Sequence, residues 1–157
     1  MTFADPTTVH LDGDTDIVAS RRFDAPLHRV YRALHEPELV RRWWCPQSRG
    51  RMTECTIEFR VGGSWRFAME TLDGRPVGFS GKYLEISDTR VVNTEVFDPF
   101  PDLAAVVTTT LEEAGGQTLL TVRSRYPSRE VRDMVVATGM EDGMRESWRQ
   151  LGDVVTG

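Results

Sequence analysis

The sequence predicts an α+β domain: a seven-stranded antiparallel sheet curved around a long C-terminal helix, with two short helices after the first strand. Three observations predict it. From about 51 to 126, apolar and polar residues alternate with period two, interrupted by Gly62-Gly63, Asp73-Gly74, Ser87-Asp88 and Gly115-Gly116. After Ser128 the apolar spacing becomes helical and stays so to about Val154. Ahead of both, Leu27, Val30, Tyr31 and Leu34 recur at i, i+3, i+4 and i+7, which makes one apolar stripe on a helix.

The first strand is "DIVASRRF", 16–23, which alternates. In "DAPLHRVYRALHEP", Asp24 is suited to cap a helix and Pro26 to occupy its first turn. A second short helix follows Pro37, with Leu39, Val40, Trp43 and Trp44 on its apolar side. Pro46 closes it, because the proline ring clashes with a continuing helix. Six strands then follow: "ECTIEFRV", "SWRFAMET", "VGFSGKYLEI", "RVVNTEVF", "AAVVTTTLEE" and "QTLLTVRSRY". Short turns join them, apart from the proline-rich "DPFPD", so they form an antiparallel meander. Ser128 is a good N-cap for the last helix, whose stripe is Val131, Met134, Val135, Met140, Met144, Trp148 and Leu151. Gly139 and Gly143 fall inside that helix, each costing about 1 kcal/mol relative to alanine.

Residues 1–14 read as a loose leader, and 15–157 as a single domain. One face of the sheet must be buried, and the long helix is its natural cover. A strongly curved sheet does not close tightly along a helix. An internal cavity is therefore expected, plugged at one end by the short helices.

Composition excludes several classes. No apolar run approaches the ~20 residues that span a bilayer, so no membrane insertion is expected. The N-terminus lacks a basic start followed by an apolar stretch, and a cytoplasmic location is expected. Net charge is −5 and the basic residues are scattered, which argues against nucleic acid as a partner. Lys82 is the only lysine among the 19 basic residues. Cys45 and Cys55 fit no zinc spacing, and His10, His28 and His35 form no ligand pair, so no metal or other cofactor is expected. Both cysteines are expected as thiols.

The candidate site is the cavity. Trp65, Phe67 and Met69 alternate with polar neighbours and point to one face, as do Phe79 and Tyr83 with Gly81 between them. Of Trp43 and Trp44, one plugs the sheet and the other forms the pocket rim, where an indole can stack on a flat ligand or donate its N–H. Met140 and Met144 add adaptable wall, and Trp148, one turn on, seals the far end. The ligand-binding set is thus Trp43, Trp65, Phe67, Met69, Phe79, Tyr83, Met140, Met144 and Trp148, with Thr109 and Tyr126 as polar contacts. Thr94, Ser124 and Arg123 are further polar candidates. Glu58, Glu70, Glu95 and Glu112 read as solvated strand faces; Glu85 is ambiguous because it shares parity with Tyr83. Cys45 is a poor nucleophile at the C-terminal end of a short helix, and no catalytic motif is recognisable.

The order of elements, with "SRRFDAPLHRVYRAL", "PELVRRWWCP", "EFRVGGSWRFAM", "DGRPVGFSGKYLEI" and "GMEDGMRESWRQL", resembles the START-like, or SRPBCC, superfamily and its helix-grip fold. More narrowly it resembles the C-terminal-domain family of the activator of heat-shock-protein-90 ATPase. Cys45 stands where glycine is frequent, and Trp148 where tyrosine is. The resemblance implies a hydrophobic pocket between helix and sheet rather than a fixed reaction. Superfamily members bind lipids, sterols, plant hormones or polyketides; a few are aromatases or cyclases, and many bacterial members have no known role. The expected function is binding of a small hydrophobic or aromatic molecule. The alternatives are a polyketide cyclase- or aromatase-like enzyme in the same cavity, and a co-chaperone-like interaction domain. The namesake co-chaperone carries an additional N-terminal domain for which this chain has no room, which weakens the chaperone reading. An exposed strand edge makes a homodimer a candidate assembly.

Overall fold

The computed structural model describes residues 6–157. Eight strands form one antiparallel sheet, one more than the sequence pattern predicts. In chain order they are β1 (Thr8–Asp12), β2 (Asp16–Phe23), β3 (Gly50–Ile57), β4 (Ser64–Thr71), β5 (Pro76–Ile86), β6 (Arg90–Phe97), β7 (Ala105–Ala114) and β8 (Gln117–Arg125). In space they run β1-β2-β8-β7-β6-β5-β4-β3. The expected meander is therefore present from β3 to β8, and β2 pairs against β8.

The additional strand lies inside the expected leader. Thr8 to Asp12 pair with Ser20 to Asp16 of β2. Most of β1 is exposed, so its sequence carries no hydrophobic alternation to announce it. Backbone pairing along the edge of β2 holds it. The outer edges of β1 and β3 end the sheet.

Four helices complete the described residues: α1 (Leu27–His35), α2 (Pro37–Val40), α3 (Arg129–Ala137) and α4 (Met140–Thr156). Asp24 does not cap α1; the N-cap position is Pro26, and the Leu27 N–H donates instead to the Glu113 carboxylate at 2.5 Å. α2 is a single turn, and residues 41–43 continue as turns rather than helix. The Ser128 hydroxyl accepts from the Val131 N–H at 3.2 Å, the expected cap. The one long helix of the sequence reading is two. Gly139 takes φ +78°, the left-handed conformation that commonly terminates a helix, and α4 restarts at Met140.

The core has two centres. Ala19, Phe23, Leu111 and Leu120 of the sheet pack with Val30 and Ala33 of α1 and Trp148, Leu151 and Val155 of α4. Leu120, Leu151, Val30 and Val155 are fully enclosed, each worth roughly 1.5–3 kcal/mol of burial. A second cluster gathers Trp65, Tyr83 and Val91, with Tyr31, Phe59, Phe67 and Phe79 against it.

Candidate functional site

The adjacent tryptophans separate. Trp43 is only 7% exposed and belongs to the main core; its indole N–H donates to the Ala33 carbonyl at 2.7 Å. It plugs the fold, closed over by neighbouring protein side chains. Trp44 turns elsewhere and sets its ring edge-on to Phe67, at 5.5 Å, and Phe79, at 6.0 Å. Neighbouring positions on a helical turn point about 100° apart, and the turn continues to Trp44, whose N–H donates to the Val40 carbonyl at 3.0 Å, so the two rings diverge. α4 then fixes the loop by its backbone. Gln150 donates to the carbonyls of Trp43 and Cys45, both at 2.9 Å, and accepts from the Gln47 N–H at 3.0 Å. Ser147 donates to the Trp44 carbonyl at 2.7 Å, and Glu146 accepts from the Ser48 backbone and hydroxyl.

Strand parity places the other candidates. Trp65, Phe67 and Met69 lie opposite Gly81, Phe79 and Val77. Trp65 and Tyr83 are buried in the second cluster, and Trp148 in the first. These three are packed core, not open wall, because protein side chains already cover them. Phe67, Met69, Phe79, Met140 and Met144 remain partly exposed. So do Thr109 and Tyr126; Thr109 pairs with Val91 and Val122 on the covered face. Thr94 and Arg123 sit on the opposite face. The Thr94 hydroxyl accepts from the Lys82 N–H, and Arg123 pairs with Asp12 and Asp16, both at 2.7 Å. Glu85 is exposed and bonded to Arg90. A bulge between Tyr83 and Glu85 breaks their shared parity.

Gly81 has a steric reason. A Cβ there would stand 1.8 Å from the Thr94 carbonyl oxygen and 2.7 Å from the Trp65 indole nitrogen. The Trp65 ring occupies the space the glycine leaves, and its N–H donates to that carbonyl at 3.2 Å. Gly143 opens no ligand space: its missing side chain faces the Arg49 guanidinium at 3.4 Å.

The sequence reading misses one residue. Glu95, expected on a solvated face, shares parity with Val91, Asn93 and Phe97 and turns to the covered side. It pairs with Ala105 of β7, and the antiparallel register sets Tyr126 level with Ala105 on the far side. One small residue therefore separates the carboxyl from the phenol. Burial alone raises the Glu95 carboxyl to about 7. Burial also raises the Tyr126 hydroxyl, the Glu95 charge adds to this, and the Ser124 side chain opposes it. Glu95 has no hydrogen-bond or ion-pair partner among the described residues. The available signal was parity with buried Val91, masked because Val92 is buried as well.

The remaining reactive groups are quiet. Burial raises the Cys45 thiol, helped by Glu146, and its sulfur lies 3.9 Å from that of Met69. Burial likewise raises Cys55, partly opposed by Arg41. His35 stacks on Phe59 at 4.4 Å, and burial lowers it to about 4 despite its bond to the Tyr31 carbonyl, so it is neutral near pH 7. No cluster of metal-ligating side chains exists among the described residues. Among the described residues no helix is long and apolar enough to cross a membrane. Two surface hollows are present among the described residues. One, about 350 Å³, is lined by Arg41, Arg42, Cys45 and Arg51 among others; the second, about 420 Å³, by outward residues of β7 and β8 such as Thr108, Thr110 and Arg123.

A curved antiparallel sheet, gripped by a C-terminal helix and lined by partly open aromatics, defines a helix-grip protein of the SRPBCC type. Residues 24–156 match the sequence profile of the activator of Hsp90 ATPase homolog 1-like proteins, and the chain belongs to that family. Solved structures agree. A crystallised protein of Rhodobacter sphaeroides is 28% identical with a TM-score of 0.87, over 96% of this chain and 98% of its own. An Arthrobacter aurescens protein solved by NMR is 26% identical with a TM-score of 0.83, over 95% and 91%. A Mycobacterium smegmatis protein, 24% identical, shares the fold at a TM-score of 0.85 over 96% and 97%. No curated protein matches the chain.

Proposed function

We propose that the chain binds a small, largely apolar molecule, aromatic or polyketide-like, between α4 and the covered face of the sheet. One observation carries this reading. The middle of that face, at Phe67, Met69, Phe79, Thr109 and Tyr126, keeps solvent contact although it is turned inward, whereas Trp43, Trp148, Trp65 and Tyr83 are closed off around it. Apolar walls with a few polar groups are the usual make-up of a small-molecule site. The test is mass spectrometry of small molecules released from purified protein, paired with a tryptophan-fluorescence titration against an apolar library. A co-purified or titrating ligand whose signal falls in the Trp44→Phe variant supports the reading. No released molecule and no response across the library would remove it.

A second reading, a cyclase- or aromatase-like enzyme in the same space, is favoured by Glu95 beside Tyr126. A carboxyl held near neutrality can both give and take a proton. A pH–rate profile on polyketide-like substrates that is flat through neutrality, or unchanged in Glu95→Gln, would dismiss it.

A further inference from the structure

Glu95 is half-buried and turned to the covered face, with no basic side chain level with it on the neighbouring strands. On β7 its facing positions are Ala105 and Val107, both uncharged. On β5 the level position is Gly81, filled by the Trp65 ring, with Tyr83 beyond it opposite Asn93. Past β7 stands Tyr126. On α4, Met140 and Met144 are not ionisable, and Gly143 faces the Arg49 guanidinium, whose charge acts on Glu146 of the same helix. The arginine on this face of β2, Arg21, pairs with Leu120, which pairs with Leu111, six positions along β7 from Ala105. That is roughly 20 Å at strand spacing, too far for a contact. A half-buried carboxyl turned to the covered face without a cationic partner in the protein is unusual, because charge among apolar surroundings favours a counter-charge. Around it, Phe97 adjoins it on β6 and stacks on Phe79 at 5.1 Å, and Phe79 meets Trp44. Aromatic faces attract cations as well as flat apolar bodies.

We propose that the guest of this cavity carries a protonated basic nitrogen that pairs with the Glu95 carboxylate, while its apolar body lies against Phe67, Phe79 and Phe97. This rests on the binding reading above and adds the chemical class of ligand to it. Binding of the cation requires the ionised carboxylate, so affinity rises with pH as Glu95 loses its proton; Tyr126 stays neutral across the same range and can accept or donate the remaining hydrogen bond.

The test compares two probes of one shape, 2-naphthylmethylamine and 2-naphthalenemethanol, by calorimetric titration of the full chain. At about pH 8 the amine is expected to bind at least about tenfold tighter. Lowering the pH to about 5.5 should erase that preference while the amine itself stays protonated. Glu95→Gln should erase it at both pH values. Should that variant fail to fold, the pH series on the parent chain decides alone. Equal affinities at about pH 8, or a preference that survives at low pH, overturn the proposal and leave the binding reading intact. If neither probe nor any molecule of the apolar library binds, both fall together.

Discussion

The side-chain amide of Gln150 lies 2.9 Å from the carbonyl of Trp43, and this bond, with its partner to Cys45, orients the whole tryptophan loop on α4. The same side chain also accepts from Gln47. Gln150→Ala deletes three bonds at once and leaves the Trp43 and Cys45 carbonyls to find water. The expected loss is about 1–3 kcal/mol, read as a lower midpoint in chemical denaturation with an unchanged slope. Trp44 emission should shift to the red as the loop loosens. An unaltered midpoint would mean that packing of the rings, not the amide, fixes the loop.

The two tryptophans should respond oppositely to substitution. Trp43→Phe keeps most of the packing but strands the Ala33 carbonyl, so it should destabilise by about 1–3 kcal/mol. Trp43→Ala should cost about 3–5 kcal/mol by opening a cavity in the core. Trp44→Ala should cost less, since its ring is partly exposed, yet it should remove most of the fluorescence response to a ligand. Denaturation midpoints and ligand titrations on the three variants separate a plug from a rim.

Much of this architecture is readable from residues. The period-two alternation of Trp65, Phe67 and Met69, the paired glycines at 62–63 and 115–116, and the Ser128 cap each dictate a local structure that tertiary contacts leave unchanged. Strand β1 is not readable, because its pairing energy comes from backbone groups and its side chains are mostly exposed. The break at Gly139 is hidden because apolar residues at helical spacing stand on both sides of it, Val131, Met134 and Val135 before and Met140 and Met144 after. Glu95 is hidden because β6 buries neighbours of both parities, Val91 and Val92, so alternation no longer tells inside from outside. The division of labour between Trp43 and Trp44 depends on tertiary partners that periodicity does not reveal: Ala33 for Trp43, and Phe67 and Phe79 for Trp44.

Gly139 and Gly143 make a direct test of the helix break. Were both inside one helix, alanine at either would stabilise. In the structure they differ. Gly139→Ala forces a side chain into a left-handed backbone and should destabilise by about 1 kcal/mol. Gly143→Ala meets only the mobile end of Arg49 at 3.4 Å and gains helix propensity, so it should stabilise by about 0.5–1 kcal/mol. Thermal midpoints of the two variants should move in opposite directions. A rise in both would restore the continuous helix.

Glu95 also makes the folded state sensitive to pH in a direction that can be worked out. Its carboxyl titrates near 7 when folded, against an ordinary value of 4.5. Below about pH 4 both folded and unfolded chains hold the proton, and the group contributes nothing. Between those values the unfolded chain releases its proton while the folded chain keeps it. The unfolded state then binds fewer protons, so stability falls as pH rises, by at most about 3 kcal/mol, and levels off above about 7. Glu95→Gln has no proton to lose. It should match the parent near pH 4 and exceed it by about 1–3 kcal/mol near pH 8, which is several degrees in thermal midpoint for a chain of this length. A bound amine should cancel most of that difference by supplying the missing counter-charge, whereas a neutral aromatic should not. A variant no more stable than the parent at the higher pH would show that water reaches the carboxylate freely, and that the covered face of β6 is wetter than its register implies.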